Sequence, residues 1–182
     1  MKKILLAAVV AFSSLAANAQ IWVGGSLGAN FNTPDYDGAE TAKTFVISPE
    51  VGYSLSDKWD IAVAINTSLF SCDGVSTTSF TIEPYARYTF AQMDNVSFFV
   101  DGGFGFGTTN HGEENGVIVE MEDNVTAFNV GVRPGVKFAV NDNFSLVAKL
   151  GWLGYTNVKD NYSEFGFNVN GAALSLGAYW TF

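Results

Sequence analysis

Alternation with a period of two residues recurs eight times along the chain, and one set of alternating positions carries no charge at all. Successive side chains of a strand point to opposite faces, so this pattern sorts residues onto two surfaces. One surface holds Phe45, Ile47, Val51, Tyr53, Trp59, Ile61, Val63, Ile65, Phe80, Ile82, Tyr88, Phe90, Phe98, Val100, Phe104, Phe128, Val130, Val132, Val136, Phe138, Leu146, Leu150 and Trp152. The other holds Ser48, Glu50, Asp60, Asn66, Thr81, Glu83, Tyr85, Arg87, Ser97, Asp101, Asn129, Arg133, Lys137, Ser145 and Lys149. No stretch carries a convincing helical period.

The alternation predicts strands over 20–31, 43–55, 59–70, 78–90, 96–107, 124–140, 144–156 and 167–182. The connectors alternate in length. Ser56-Asp57-Lys58, Ala91–Asn95 and Asn141-Asp142-Asn143 are tight turns, whereas 32–42, 71–77, 108–123 and 157–166 read as longer polar loops. An even number of strands with short turns on one rim and long loops on the other is the layout of a transmembrane barrel. Three segments repeat one unit: Ile47–Tyr53, Ile82–Tyr88 and Val132–Phe138 each place a proline four residues before an aromatic, then a turn and a second strand. This internal hairpin repeat suggests growth by duplication. Proline lacks the ladder donor, so a bulge or kink is expected at Pro49, Pro84 and Pro134.

The two faces then limit the solvent. A soluble barrel holds its apolar set inside, with the polar set in water. Here that choice would place four acids and four bases in water and leave the aliphatic face to fill a narrow core. The opposite choice exposes an apolar patch far larger than water tolerates. Lipid accommodates it: apolar side chains face the bilayer and polar ones the lumen. Parity alone does not choose between the faces, but the two ends of the chain do. Met1-Lys2-Lys3, the apolar run Ile4–Phe12 and Ala17-Asn18-Ala19 form a signal peptide pattern, with cleavage expected between Ala19 and Gln20. The domains expected are a 1–19 signal peptide and a 20–182 barrel. At the other end, Leu174, Leu176, Ala178, Trp180 and Phe182 share one face. Aromatics that close a terminal strand are costly in water and natural at a membrane surface.

Aromatic residues make up 15% of the chain and gather at the strand ends. Tyr53, Trp59, Tyr88, Phe90, Phe98, Phe138, Phe144, Trp180 and Phe182 lie beside the short turns; Phe31, Phe45, Phe80, Phe106, Phe128 and Trp152 lie toward the long loops. Two girdles are expected. Formal charge is −9, the wrong sign for nucleic acid, and removal of Lys2 and Lys3 would deepen it. A single cysteine, Cys72, excludes an internal disulfide framework.

With these residues in view, the chain resembles the small eight-stranded outer-membrane barrels of the OmpX/OmpA type, and most of all the outer membrane protein beta-barrel domain family of Gram-negative bacteria. The signal, the strand rhythm, the hairpin units and Trp180-Thr181-Phe182 carry that resemblance. It implies an all-β, eight-stranded antiparallel up-and-down barrel in the outer membrane, in contact with lipid and lipopolysaccharide. It further implies a C-terminal assembly signal, Trp180 and Phe182, that the barrel-assembly machinery recognises. No peptidoglycan-binding segment follows the barrel pattern. Functions known on this scaffold range over membrane integrity, adhesion, host-protein binding and solute passage, so the fold alone does not assign one.

Eight charged residues are expected to form a lumen network: Glu50, Asp60, Glu83, Arg87, Asp101, Arg133, Lys137 and Lys149. A barrel of eight strands is filled by its own side chains, so a monomer with a salt-bridged plug is expected in preference to a narrow, porin-like channel. No catalytic, cofactor or metal site is expected. His111, in the loop 108–123, has no rigid neighbours to hold it as a base for a lipid-modifying enzyme, and Cys72, in the loop 71–77, has no activating partner. The loop acids Asp35, Asp37, Glu40, Asp73, Glu113, Glu114, Glu120, Glu122, Asp123, Asp160 and Glu164 read as a solvated acidic surface, with weak cation binding as the alternative. Val117-Ile118-Val119 interrupts this acidic run and could extend strands into a protruding hairpin, a surface for an extracellular protein partner.

Overall fold

The computed structural model describes residues 20–33, 41–72, 74–114, 117–168 and 174–182, with backbone only for 111–114, 117–122 and 168. The expected signal peptide, the cleavage residue Ala19, and Asp35, Asp37, Glu40 and Asp73 lie outside the described residues, as do the side chains of His111, Glu113, Glu114, Glu120 and Glu122. Ten strands are formed: β1 (Ile21–Asn32), β2 (Ala42–Ser54), β3 (Trp59–Cys72), β4 (Val75–Met93), β5 (Val96–Glu114), β6 (Val117–Ala139), β7 (Phe144–Leu150), β8 (Trp152–Val158), β9 (Tyr162–Asn168) and β10 (Leu174–Thr181). They make eight barrel positions. β8 continues β7 along β6, while β9 pairs with β8 and β10 pairs with β7. Every neighbour is antiparallel, and the ring is closed by β5 on β6 and by β1 on β10, from Trp22 opposite Thr181 to Leu27 opposite Leu176. Closure pairs β1 and β10, the two ends of the chain, with each other, and an unpaired backbone group in a membrane would cost several kcal/mol.

Short polar turns set one rim. Ser56 Oγ accepts from the Trp59 amide, and Asn141 Oδ1 accepts from the amides of Asn143 and Phe144 at 2.9 and 2.8 Å. These side chains satisfy backbone donors and reverse the chain locally. Asp94 takes a left-handed conformation (φ 47°) in the turn between β4 and β5.

The opposite rim differs from expectation in three places. The 71–77 connector is no loop: Cys72, the last residue of β3, pairs with Val75, the first of β4, and Gly74 (φ 77°) makes the tight reversal. The 157–166 connector is the hairpin of β8 and β9, turning at Asp160 (φ 58°). The 108–123 connector is largely strand, and the backbone of His111 pairs with that of Glu120. In each case backbone pairing, which does not require apolar side chains, continues into segments of polar composition.

The proline expectation also needs correction. At Pro49 and Pro84 register is unshifted, but pairing lapses on one side: β2 leaves β3 after Ile47 opposite Thr67 and rejoins it at Glu50 opposite Ala64, and β4 leaves β5 after Ile82 opposite Phe106 and rejoins it at Tyr85 opposite Gly103. The register shifts along β4 and β5 fall instead at Thr89/Ala91 and Thr109/His111. Near Pro134 a bulge does occur, but on the partner strand. Val132 pairs with Leu153 while Gly135 pairs with Lys149, so Arg133 and Pro134 oppose Leu150, Gly151 and Trp152. The extra residue, Gly151, has φ 73°, a region closed to most side chains.

The apolar face points outward: Phe45, Ile47, Val63, Ile65, Phe104, Val130, Phe138, Leu146 and Leu176 are all exposed. Outward aromatics pair at both rims, Trp59 with Tyr88 at 4.7 Å between ring centroids and Phe31 with Phe45 at 5.5 Å. Trp152 departs from its expected place in the girdle. The Gly151 bulge shifts parity by one, so Leu153 and Tyr155 face outward and Trp152 lines the lumen.

Candidate functional site

The lumen is polar at three heights, and the middle one is the most tightly built. β4 delivers Arg87 and β5 delivers Asp101, directly opposite each other in the ladder. Arg87 Nε and Nη2 donate to Asp101 Oδ1 and Oδ2 at 2.7 and 2.8 Å, a bidentate pair. Across the barrel, Lys149 Nζ from β7 donates to both oxygens of Glu50 on β2, at 2.7 and 2.8 Å. Glu50 also accepts from Tyr85, Tyr179 and Ser26. Arg87 Nη2 donates to the Tyr179 hydroxyl at 3.1 Å, and Lys149 Nζ lies 3.6 Å from Asp101 Oδ2, so the two pairs form one network. All four charged side chains are buried. Two positive and two negative charges balance there; Glu50 accepts five hydrogen bonds and Asp101 a bidentate pair, which offsets part of their desolvation.

Aromatic rings close the space around this network. The Arg87 guanidinium carbon sits 3.8 Å from the centroid of Phe99 and between 5.2 and 5.7 Å from those of Tyr179, Trp22 and Tyr85. A desolvated guanidinium over ring faces is stabilised by about 2 kcal/mol or more. Each of these rings faces a glycine directly opposite in the ladder: Trp22 on Gly52, Tyr85 on Gly103, Phe99 on Gly135 and Tyr179 on Gly24. A Cβ on any of the four glycines would fall within 2.6 Å of a carbon of the facing residue. The missing side chain is what lets each ring lie against the wall and pack at the centre. Tyr85 was expected on the inward face, whereas Trp22, Phe99 and Tyr179 were not expected as part of the site. Parity did carry the signal, since Phe99 falls between inward Ser97 and Asp101, and Tyr85 between Glu83 and Arg87.

The other expected charges stand apart. Arg133 Nη1 lies 3.7 Å from Glu83 Oε1, both only partly buried, and Glu83 Oε2 accepts from Asn66 Nδ2 at 2.7 Å, while Ser48 donates to Asn66 Oδ1. This chain lines a cavity of about 310 Å³ on the long-hairpin side of the central network. On the short-turn side, Asp60 and Lys137 line a second cavity of about 580 Å³, and no ion pair joins them. The eight residues therefore occupy three separate tiers and do not form the single network anticipated. Trp180 and Phe182 lie exposed on the outer face beside β1 and β7. Cys72 is a free thiol, partly buried.

Residues 4–182 match the family described as "Outer membrane protein beta-barrel domain". The chain belongs to that family. Its members are outer-membrane β-barrels, and this barrel accordingly resides in the outer membrane. Among solved structures, it is similar to Neisserial surface protein A, with a TM-score of 0.58, 18% identity, and coverage of 91% of this chain and 99% of that one. It is also similar to the N-terminal barrel domain of Pseudomonas aeruginosa OprF (TM-score 0.48, 17% identity, covering 90% and 96%). A third similarity is to Yersinia pestis Ail in complex with the heparin analogue sucrose octasulfate (TM-score 0.45, 17% identity, covering 90% and 97%). At these identities the likeness concerns fold alone, and only the first score supports even that. No curated protein matches the chain.

Proposed function

We propose that this outer-membrane barrel is closed at its centre, and that it serves envelope structure or surface interaction through its acidic hairpins. The observation that carries the first part is the position of Arg87. It is buried to 1% exposure, bound bidentately to Asp101 and enclosed by four rings contributed by β1, β4, β5 and β10. Rings from opposite sides of a narrow barrel meeting on one cation leave little room for a hydrated ion. Purified barrel in planar bilayers tests this. Absence of unit conductance supports a plug, whereas stable steps that change with Arg87→Ala or Glu83→Gln establish the channel alternative.

The second part is supported by the β5–β6 hairpin. β4 pairs with β5 up to Ser79 opposite Thr109, and β8 reaches β6 only at Ala127 opposite Val158. Pairing between β5 and β6 themselves continues to Glu114 opposite Val117. The two strands thus extend as a ribbon past their neighbours, the geometry that a protein partner engages by strand addition. A pull-down from host or neighbouring-cell surface extract, comparing the intact barrel with one lacking 110–122, checks it: a partner retained by both proteins rules the ribbon out. We further infer that residues 1–19 are removed before assembly, that Trp180 and Phe182 present the assembly signal, and that the barrel is monomeric and in contact with lipopolysaccharide. N-terminal sequencing of the outer-membrane form should begin at Gln20. The reading excludes enzymatic activity, which predicts that His111→Ala leaves every lipid A species unchanged.

A further inference from the structure

We propose that the upper lumen cavity is a binding site for one neutral saccharide ring. Four observations combine there. The first is the shape. The cavity, about 310 Å³, stands at the lower end of small-molecule sites, and it is blind because the Lys149–Glu50 pair lies at its base. Asn30 and Thr44 line it toward the long-hairpin rim, the side that such barrels turn to the cell exterior.

The second is the placement of Trp152. Gly151 at φ 73° turns this indole inward, against the parity of the strand before it. It lies over Gly131 and Gly154, which pair with each other across β6 and β8. A Cβ at Gly131 would come within 2.7 Å of the indole Nε1, and one at Gly154 within 2.6 Å of Cζ2. Two glycines thus hold the ring back against the wall on one side of the cavity, where an apolar ring face of a ligand can meet it.

The third is the polar set that lines the same cavity. Glu83, Asn66, Arg133 and Asn129 are planar groups offering donors and acceptors together. Asn66 is held from two sides, by Ser48 and by Glu83. Arg133 has a single long contact, 3.7 Å to Glu83, and so retains donors directed elsewhere. The fourth is charge. Glu50 and Glu83 are balanced by Lys149 and Arg133, leaving a site without net charge and without preference for an ion. An aromatic wall with planar polar groups beside it suits a molecule with one C–H face and a rim of hydroxyls, which is a pyranose. The site lies above the Arg87 tier, so the proposal stands whether or not the barrel conducts.

Saturation-transfer NMR tests it, with the intact barrel in lauryldimethylamine oxide, a detergent without a sugar headgroup. The probes are the methyl α- and β-pyranosides of glucose, galactose and mannose. Transfer to the ring protons of at least one is expected, with the dissociation constant raised at least tenfold by Trp152→Leu and by Asn129→Ala. Asn129→Ala is the safer variant for folding, and heat-modifiable gel mobility verifies both. No transfer to any of the six probes overturns the proposal, as does transfer that both folded variants leave unchanged.

Discussion

Phe99 packs its ring against Gly135, its direct partner across β5 and β6, and the Arg87 guanidinium carbon lies 3.8 Å from the centroid of the same ring. A residue without a side chain and a ring without solvent exposure are therefore two halves of one packing unit. A Cβ on Gly135 would stand 2.3 Å from Phe99 Cζ. Gly135→Ala should displace the ring and cost about 1–3 kcal/mol. Gly102 is the control, since its nearest neighbour would be Val132 Cγ1 at 3.7 Å. Gly102→Ala should stay within about 0.5 kcal/mol of the parent. Urea unfolding of vesicle-inserted protein, followed by tryptophan emission, compares the two.

Removing one member of the central pair is expected to hurt more than removing both. Arg87→Met strands Asp101 among rings, with only Lys149 at 3.6 Å for relief, and should cost about 3–5 kcal/mol. The double variant Arg87→Met with Asp101→Leu should recover a large part of that loss. A double-mutant cycle in urea gives the coupling directly. Strict additivity of the two single effects would mean that the pair is not interacting as its geometry indicates.

A charge placed on the outer wall should report depth. Val63→Arg and Val130→Arg fall in mid-strand on the apolar face and should each cost about 2–4 kcal/mol, whereas Phe90→Arg, beside a short turn, should cost about 0–1 kcal/mol beyond the lost packing of the ring. Folding yield into vesicles and urea midpoints check the order. Equal penalties at all three positions would contradict a bilayer around this face.

Gly151 should resist substitution for a backbone reason. At φ 73°, an L-residue costs about 1–2 kcal/mol through contact of Cβ with its own backbone. Gly151→Ala is expected to lower stability by that amount and to alter the emission of Trp152, compared in a background where Trp22, Trp59 and Trp180 are phenylalanine. An unchanged spectrum together with unchanged stability would show that the bulge relaxes without strain.

These residues also mark what could be anticipated from sequence. Alternation is a local property, so the eight strand positions and the outward set from Phe45 to Leu150 were legible, as was the inward set containing Glu50, Arg87, Asp101 and Lys149. Pairing is not local. That Arg87 meets Asp101 and Lys149 meets Glu50 depends on register across the ring, which composition does not specify. Sorting apolar residues toward lipid concealed Phe99 and Trp22, because a narrow lumen needs bulk as well as charge. Trp152 was misplaced since one glycine with a positive φ reverses parity for the rest of that strand, β8, and nothing but the backbone announces it. Strand ends were read short at Cys72 and His111 because polar side chains suggest loops, although a ladder beyond the bilayer can carry any side chain. Pro49 and Pro84 interrupt pairing with β3 and with β5 without shifting register, the local effect of a missing ladder donor.

The seal between β1 and β10 has a consequence for the order of events. Nearly all other neighbours in the ring adjoin one another in sequence as hairpins and can zip as the polypeptide lengthens. One seam alone joins residue 22 to residue 181. Tyr179 sits in that seam and reaches both Glu50 and Arg87. Until the last strand docks, the buried ions therefore lack a shared hydroxyl and the wall has two raw margins. Circularisation and neutralisation of the interior become a single late commitment, made where the chain's extremes meet.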